Sequence, residues 1–346
     1  MLYGANGYTG ELVAREAVRR GLRPILAGRS RAPVEALARD LGLEARVFAL
    51  DAPAPAARAL EGVQLVLHCA GPFSATAAPM MSACLAARAH YLDITGEIAV
   101  FELAQSRTAE ARAAGTVLCP GVGFDVVPTD CIAACLKQAL PDATHLALGF
   151  DGKSSMSRGT ARTMVEGLAQ GGCVRQGGAL TRVPLGYRDR RIDFGSGEKL
   201  AATIPWGDVS TAFHTTGIPN IEVYVPVSPR ALTGLRRLRY LRSLLALGPM
   251  QRFLKSRVDR QPPGPDETQR AATPTYVWGE ARNAAGQVRT ARVTTANGYT
   301  VTVHGALGVV ERLIAGVAPA GASTPARLMG PRYVETLPGS GHIAIS

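Results

Sequence analysis

The chain opens with three evenly spaced glycines, Gly4, Gly7 and Gly10, in the stretch MLYGANGYTG. The apolar run Met1–Tyr3 precedes them, and residues 11–20 carry apolar side chains at helical spacing. A glycine turn between a strand and a helix allows a sharp bend, lets a pyrophosphate approach the backbone and directs helix N–H groups at the phosphates. The spacing GxxGxxG, typical of short-chain-reductase-like folds, therefore predicts a dinucleotide site. We assign its contacts to Gly4, Asn6, Gly7, Tyr8, Thr9 and Gly10.

The predicted strand in front of this turn is short. Three residues precede Gly4, whereas a strand usually has about five or six residues. Either the strand is truncated, or the natural start of the protein lies a few codons upstream of Met1. We favour the upstream start.

Strand-like and helix-like segments alternate through the first third of the chain. Apolar runs at 25–27, 45–50 and 63–69 predict strands, and helical spacing predicts a helix at 34–41. Such alternation is typical of a parallel sheet with helices on both faces. The prediction is a Rossmann-type doubly wound parallel sheet over residues 1–128.

The rest of the chain has a different pattern. Residues 180–227 alternate apolar and polar side chains in short runs, 275–295 predict a hairpin, and 299–316 predict a last strand followed by a helix. A chain of 346 residues is long enough for two domains. The predicted fold class is therefore α/β, with an inserted α+β substrate domain on an antiparallel sheet over 129–302. We expect 303–346 to pack back on the first domain.

The end of the second predicted strand distinguishes between the two nicotinamide dinucleotides. NAD-specific folds place a carboxylate there to bind the ribose, whereas this chain has AGRSR, without an acid. Arg29 and Ser30 suit a 2′-phosphate, because a guanidinium forms charge-assisted hydrogen bonds with phosphate oxygens. NADPH is therefore the predicted cofactor. Asp51, after the third strand, is predicted either to contact the adenine side or to cap the next helix. The end of the fourth strand is predicted to line the pyrophosphate and nicotinamide ribose with Ala70, Gly71 and Pro72.

Six stretches of the sequence resemble, in this order, those of the saccharopine dehydrogenase-like oxidoreductases: YGANGYTGELVA, LAGRS, HCAGPF, YLDITGE, PGVGFDVVPTD and STPARLMGPRYV. Within that family, the chain is most similar to the branch that contains the trans-acting enoyl reductases of polyketide lipid assembly. The resemblance implies NADPH, a Rossmann domain and an inserted α+β domain. It leaves the reaction open, since amino-acid dehydrogenases and lipid-acting reductases share this scaffold.

A nicotinamide-dependent reductase needs a proton source and a group that stabilises developing charge. The chain has no Tyr-x-x-x-Lys pair of the kind that marks short-chain alcohol dehydrogenases. Among the acids and hydroxyls at predicted strand ends, Asp125 is our first candidate for the proton relay and Thr95 our second. Capping of a helix is the alternative role of Asp125. Hydride transfer needs no metal ion, and none is indicated.

The formal net charge of +11 is concentrated in one segment. Residues 230–260 contain eight arginines, Lys255 and a single acid, Asp259, so the net charge of this segment is +8. The rest of the chain carries a net charge of +3. This distribution does not favour nucleic acid as a partner. Residues 229–258 instead predict a basic amphipathic helix, with leucines three or four residues apart and arginines between them.

Such a helix can lie on an anionic membrane, receive an acyl chain or dock an acidic carrier protein. Equally, its leucines can pack on the substrate domain while its arginines stay in solvent. The sequence has no CxxC pair and no apolar run of about 18 residues, and we expect no secretory leader. We therefore expect a cytoplasmic protein, which is peripheral to the inner membrane if the basic helix binds lipid. The sequence leaves open whether the protein forms a homodimer.

Three functions are compatible with these features. The first is an NADPH-dependent reduction of a carbon–carbon double bond in a small-molecule or carrier-bound acyl or polyketide-type substrate. The second is a saccharopine-type amino-acid or imine dehydrogenase, which needs arginines for substrate carboxylates. The third is a non-catalytic, membrane-associated cofactor-binding protein. We favour the first; the candidate arginines for the second are Arg158, Arg162 and Arg175.

Overall fold

The computed structural model describes the chain except for residues 52, 153–156, 239–246, 259, 261, 263 and 317. The chain forms two compact units. Unit 1 contains Met1–Asp125 and Tyr299–Met329, and unit 2 contains Val126–Gly298 and Gly330–Ser346. We predicted that residues 303–346 pack back on the first domain. The part of this segment up to Met329 lies in unit 1, but the part after it does not. Gly330–Ser346 belongs to unit 2, because its last strand pairs with the edge of the sheet there.

Unit 1 is built on a parallel sheet of seven short strands. They are β1 (Leu2–Tyr3), β2 (Leu26–Gly28), β3 (Ala45–Val47), β4 (Leu65–His68), β5 (His90–Asp93), β6 (Val117–Cys119) and β15 (Gly321–Ala322). Their order is β15-β6-β5-β4-β1-β2-β3, and all neighbours are parallel. The chain runs from β1 out to β3 and then continues from β4 on the other side, so a topological switch point lies between β1 and β4. The predicted Rossmann-type sheet is confirmed.

The helices of unit 1 connect these strands. They are α1 (Tyr8–Arg19), α2 (Arg31–Leu41), α3 (Pro53–Ala59), α4 (Phe73–Ala87), α5 (Ile98–Ser106), α6 (Thr108–Ala114), α13 (Gly298–Ile314) and α14 (Pro325–Met329). The predicted strand and helix at 299–316 are a single helix, α13. Its valines and leucines are buried on nearly every side, and an all-round apolar sequence lacks the periodicity that separates a helix from a strand.

Unit 2 is built on a second sheet. Its strands are β7 (Ala143–Gly152), β8 (Gly172–Gln176), β9 (Ala179–Val183), β10 (Asp189–Asp193), β11 (Glu198–Thr203), β12 (Asn220–Pro226), β13 (Thr275–Asn283), β14 (Val288–Thr295) and β16 (Ala344–Ile345). The order is β10-β11-β12-β7-β13-β14-β16, while β8 pairs with β12 and β9. The predicted hairpin at 275–295 is confirmed as β13 and β14. The sheet is mixed and not purely antiparallel as predicted, because a long crossover lets β12 pair parallel to β7.

The helices of unit 2 are α7 (Val127–Ala139), α8 (Arg158–Gln170), α9 (Asp208–Thr216), α10 (Pro229–Leu238), α11 (Gly248–Val258) and α12 (Glu267–Ala272). The predicted basic helix at 229–258 contains two of them, α10 and α11. The residues between these two, 239–246, lie outside the described residues, and with them Arg239, Leu241, Arg242 and Leu245. Over the described parts of both units, no helix is long and apolar enough to cross a membrane.

Helix α7 packs against β13 at Gly279. A side chain cannot be accommodated there, because a Cβ atom would lie 2.4 Å from Cγ2 of Ile132 and 2.9 Å from Cδ1 of Leu136. Ile132 and Leu136 are fully buried and lie one helical turn apart on α7. This contact seats the first helix of unit 2 on its sheet.

Gly279→Ala is expected to destabilise unit 2 by roughly 1–3 kcal/mol, since an added methyl group in a packed core displaces its neighbours. Gly167→Ala in α8 is the matched control, because no described atom lies within 4 Å of the added Cβ and alanine favours a helix over glycine by about 0.5–1 kcal/mol. Urea unfolding followed by circular dichroism measures both changes. An unchanged midpoint for Gly279→Ala contradicts this packing.

Candidate cofactor site

The glycine turn is anchored by β1, which is only two residues long. Leu2 and Tyr3 nevertheless pair on both sides, with β2 and with β4. The hydrogen bonds continue beyond the strand, because the Gly4 amide donates to the Ala27 carbonyl oxygen at 2.8 Å and the Cys69 amide donates to the carbonyl oxygen of Tyr3 at 2.8 Å. Both side chains of β1 are buried. The short strand is therefore sufficient to fix the start of the turn.

Two glycines of the turn have no room for a side chain. Gly4 has a φ of +82°, and a Cβ atom on it would lie 2.7 Å from the amide nitrogen of Ala70. A Cβ atom on Gly10 would lie 2.2 Å from the carbonyl oxygen of Gly4. The first glycine thus allows the ends of β1 and β4 to approach closely, and the third allows α1 to pack on the turn.

The second glycine opens the helix that follows. Gly7 is exposed and precedes the first residue of α1, and as a glycine it has no side chain that could cap this helix end. The neighbouring Asn6 is also exposed, and its side-chain oxygen lies 3.1 Å from the position of a Cβ atom on Gly28. Tyr8 packs edge-on against Tyr299, with ring centroids 5.1 Å apart, a contact that the sequence did not predict. The positive end of the α1 dipole therefore lies beside the switch point, where it favours an anion.

The loop after β2 carries the predicted phosphate ligands. Arg29 and Ser30 are both exposed. The next arginine, Arg31, is engaged by Glu35 at 2.7 Å, whereas the side chains of Arg29 and Ser30 make no hydrogen bond or ion pair with the described residues. Arg29 is thus the guanidinium of this loop that is available to a bound group.

Asp51 lies near the same edge of the sheet. Strand β3 ends at Val47, earlier than predicted, and Asp51 is exposed in the segment that follows. Burial raises the pKa of the Tyr3 hydroxyl, the charge of Arg29 lowers it and the charge of Asp51 raises it, so both charges act at that hydroxyl. Tyr3 itself donates to the carbonyl oxygen of Phe48 at 3.0 Å. Because β2 and β3 are parallel neighbours, Arg29 and Asp51, which follow them, lie at the same edge of the sheet.

The segment Ala70–Pro72 connects β4 to α4. The first amides of that helix, those of Phe73 and Ser74, donate to the carboxylate of Glu97 at 3.0 and 2.7 Å. A side chain that follows β5 thus caps α4. We expected Glu97 among the acids of the predicted cleft, but not as a helix cap, since nothing in YLDITGE reveals which helix its carboxylate reaches.

His68, at the end of β4, is fully buried. Its Nε2 lies 2.9 Å from the hydroxyl of Thr76, which donates to the carbonyl oxygen of Ala70 at 2.8 Å. Burial lowers the pKa of His68 to about 3, so the ring is neutral. Nδ1 has no hydrogen-bond partner among the described residues. His68 therefore has a structural role here, supporting the segment behind the cofactor loop.

A buried carboxylate joins the ends of β5 and β6. Oδ1 of Asp93 accepts from the amides of Thr95 at 3.0 Å and Gly121 at 2.8 Å, and Oδ2 accepts from the Tyr91 hydroxyl at 2.6 Å. Burial raises the pKa of Asp93 to about 6, against the lowering effect of these hydrogen bonds. Asp93 was not among the predicted site residues. Its position at the end of a predicted strand, in YLDITGE, is the sequence feature that could have indicated it.

The predicted acid Asp125 lies against the turn after β5. A Cβ atom on Gly96 would lie 3.0 Å from Oδ2 of Asp125. Burial raises the pKa of Asp125 to about 7. The other predicted residue, Thr95, is fully buried, and its hydroxyl accepts from the Glu97 amide at 3.0 Å. The structure thus brings the two predicted residues together. Thr95 lies within the turn, and Asp125 packs against the turn at Gly96.

Comparison with known proteins agrees with this geometry. Residues 1–119 match the model of the saccharopine dehydrogenase NADP binding domain. The matched span contains the glycine turn and all strands from β1 to β6. The expectation of NADP as the cofactor is confirmed at the level of this domain.

Curated relatives match less than half of the chain. A putative trans-acting enoyl reductase of Mycobacterium tuberculosis is 33% identical over 192 residues, 49% of this chain and 44% of that protein. A trans-acting enoyl reductase of Mycobacterium bovis is 34% identical over 145 residues, 38% and 33% of the two chains. A human saccharopine dehydrogenase-like oxidoreductase is 29% identical over 150 residues, 38% and 35% of the two chains. The match spans less than half the length of each of these relatives.

Among solved structures, the fold is similar to that of apo saccharopine dehydrogenase (L-Glu forming) from Saccharomyces cerevisiae. The TM-score is 0.69 at 10% sequence identity, over 100% of this chain and 98% of that one. At this identity, the likeness concerns the fold alone. It supports a parallel sheet combined with a second, mixed sheet.

Gly10→Ala is expected to displace the turn, because the added Cβ would overlap the carbonyl oxygen of Gly4. We expect NADPH binding to weaken roughly ten-fold or more, because the displaced turn would lose about one or two hydrogen bonds to the charged pyrophosphate. Gly234→Ala in α10 is the control, since no described atom lies within 4 Å of its added Cβ. Fluorescence titration with NADPH distinguishes them; equal affinities for both variants contradict this role of Gly10.

Proposed function

From the match of residues 1–119 to the model of the saccharopine dehydrogenase NADP binding domain, we propose that the protein reduces a carbon–carbon double bond of an acyl or polyketide-type substrate with NADPH. The observation that carries the proposal is the acid at the carboxyl edge of the parallel sheet. Asp125 has a pKa of about 7, so many molecules retain its proton at neutral pH. A proton donor at the edge that binds the dinucleotide is what such a reductase needs.

The residues of unit 1 fit NADPH. Gly7 leaves the start of α1 open to a pyrophosphate, and Gly4 keeps the turn close to β4. Arg29 and Ser30 would hold the 2′-phosphate through charge-assisted hydrogen bonds. NADPH supplies the hydride when it is bound.

Reduction of an enoyl group adds a hydride to the β-carbon and a proton to the α-carbon. The hydride leaves negative charge on the α-carbon and the conjugated carbonyl oxygen. Asp125 in its protonated form donates the proton that neutralises this charge. Thr95 is a positioning residue in this proposal, because its hydroxyl is held by the Glu97 amide within the turn that Asp125 contacts.

The amino-acid or imine dehydrogenase is the alternative, and one of its three candidate arginines is already engaged. Arg175 is buried and donates to the carbonyl oxygens of Val209 and Gly178, both at 2.6 Å. Its guanidinium also lies 4.1 Å from the ring centroid of Phe213. These contacts hold the Arg175 guanidinium within unit 2. This favours the enoyl reaction, which is also the one named in the M. tuberculosis and M. bovis relatives.

Oxidation of NADPH in the presence of different acceptors tests the proposal. Loss of NADPH absorbance on addition of an α,β-unsaturated acyl thioester supports enoyl reduction. Oxidation driven by a 2-oxo acid with an amine supports the dehydrogenase instead. If neither drives oxidation in protein that binds NADPH, the chain is a non-catalytic cofactor-binding protein.

Arg29→Gln is expected to weaken NADPH binding about 10- to 100-fold, the value of a hydrogen bond to a charged group, and to leave NADH binding unchanged. Arg31→Gln is the matched control: Arg31 is engaged by Glu35, and its loss should change neither affinity appreciably. Binding titrations with both dinucleotides measure this. Equal losses for NADPH and NADH in Arg29→Gln contradict a 2′-phosphate contact.

The rate of reduction is expected to fall about ten-fold per pH unit above pH 7, because Asp125 must be protonated and loses its proton above its pKa of about 7. Asp125→Asn should lower turnover about 100-fold or more and abolish this limb of the pH profile, with NADPH binding retained. Asp40→Asn, at an exposed carboxylate of α2, is the control. Full turnover of Asp125→Asn with an unchanged pH profile would exclude Asp125 as the donor.

A further inference from the structure

Exposed apolar side chains are concentrated at one pair of helices in unit 2. Of the six large hydrophobic side chains exposed among the described residues, three belong to this pair or directly precede it. Phe253 of α11 and Leu247 before it each expose 53% of their surface, and Met164 of α8 exposes 49%. Such concentration marks an interaction surface.

The two helices pack on each other. The side-chain amide of Gln251 in α11 donates to the carbonyl oxygen of Val165 in α8 at 3.2 Å. On α11, Met250 and Leu254 are partly buried and Val258 is buried. Because these three recur every four residues, they form the face that points into unit 2. Arg252, Phe253, Ser256 and Arg257 lie on the exposed side of α11.

The outward side of α11 combines an aromatic ring with cations. Phe253 lies between Arg252 and Arg257, all three are exposed, and the Arg257 guanidinium lies 5.3 Å from the ring centroid of Phe253. Arginine stems lie along apolar surface while their charged ends reach water. A phenylalanine flanked in this way can enter an apolar phase while both guanidinium groups stay at its boundary.

Helix α10 adds cations that other described residues do not neutralise. Its inner side is docked, because Leu232 is buried and Arg236 both donates to the carbonyl oxygen of Gly186 at 3.2 Å and pairs with Asp189. On its outer side, a shallow depression is lined by two arginines seven residues apart, with Thr233 and Gly234 between them. They are Arg230 and Arg237, and neither forms an ion pair with a described residue.

We propose that this basic–apolar face, formed by Met164, Leu247, Arg252, Phe253 and Arg257, binds the surface of an anionic lipid membrane, with Arg230 and Arg237 adding electrostatic attraction. Charge supports a membrane, since the segment from Arg230 to Arg260 holds +8 of the net +11. Apolar side chains interleaved with cations are typical of helices that lie in the headgroup region. An acidic protein would need an apolar groove of matching shape beside its carboxylates, whereas an anionic bilayer offers an apolar phase and negative charge over its whole surface. The inference does not depend on the reaction proposed above.

Sedimentation of the full chain with vesicles tests this inference. We expect binding to vesicles of phosphatidylcholine with about one third phosphatidylglycerol, much weaker binding to phosphatidylcholine alone, and loss of binding as salt is raised. The double variant Arg252→Gln, Arg257→Gln should reduce the partition coefficient about 25-fold, roughly five-fold for each arginine near the surface. Phe253→Ser should reduce it several-fold, because the ring no longer enters the apolar phase.

The controls make the same chemical changes elsewhere. Arg39→Gln with Arg312→Gln removes two exposed cations of unit 1, and Ile314→Ser removes a side chain that is 55% exposed. These variants should bind vesicles nearly as the parent does. Circular dichroism establishes that each variant is folded. Absence of binding to anionic vesicles at low salt overturns the inference, as does an equal effect of control and test variants. Salt-sensitive binding to a purified acidic carrier protein without vesicle binding would identify a protein surface instead.

Discussion

Backbone pairing of two residues, Leu2 and Tyr3, on both sides of β1 supports everything else in unit 1. β1 is an interior strand between β4 and β2, and the chain reverses direction across the sheet beside it. The hydrogen bonds from Gly4 to Ala27 and from Cys69 to Tyr3 extend this pairing past the strand. They hold the glycine turn at the switch point, where the N-terminus of α1 can meet a phosphate. Without this pairing the turn would have no fixed position.

The other end of the site depends on two carboxylates that accept hydrogen bonds from backbone amides, the buried Asp93 and the partly buried Glu97. Asp93 ties the amides of Thr95 and Gly121 together, and Glu97 caps α4. Unsatisfied buried amides are costly, so these side chains fix the loops after β4, β5 and β6 relative to one another. Asp125 lies on the turn that they order. Burial then raises its pKa into the range where a carboxyl can donate a proton at neutral pH.

Local patterns predicted much of this from the sequence, because strand alternation and glycine spacing are properties of neighbouring residues. The glycine turn, the parallel sheet and the hairpin of unit 2 were of this kind. The cap formed by Glu97 was not, since it depends on which strand ends become neighbours. Helix α13 was mistaken in part for a strand because its burial on nearly every side removes periodicity. The parallel pairing of β12 with β7 joins segments far apart in the chain, and single-strand patterns cannot reveal it.

Thermal unfolding of the unmodified protein, with NADPH or NADH at matched concentrations, tests the central claim most directly. A ligand that binds the native state alone raises the unfolding temperature according to its concentration relative to its Kd. The account predicts a clear rise with NADPH and a much smaller rise with NADH, because the loop after β2 offers Arg29 and no acid. No shift with either dinucleotide in folded protein, or a larger shift with NADH, would contradict the assignment of this edge of the sheet as an NADPH site.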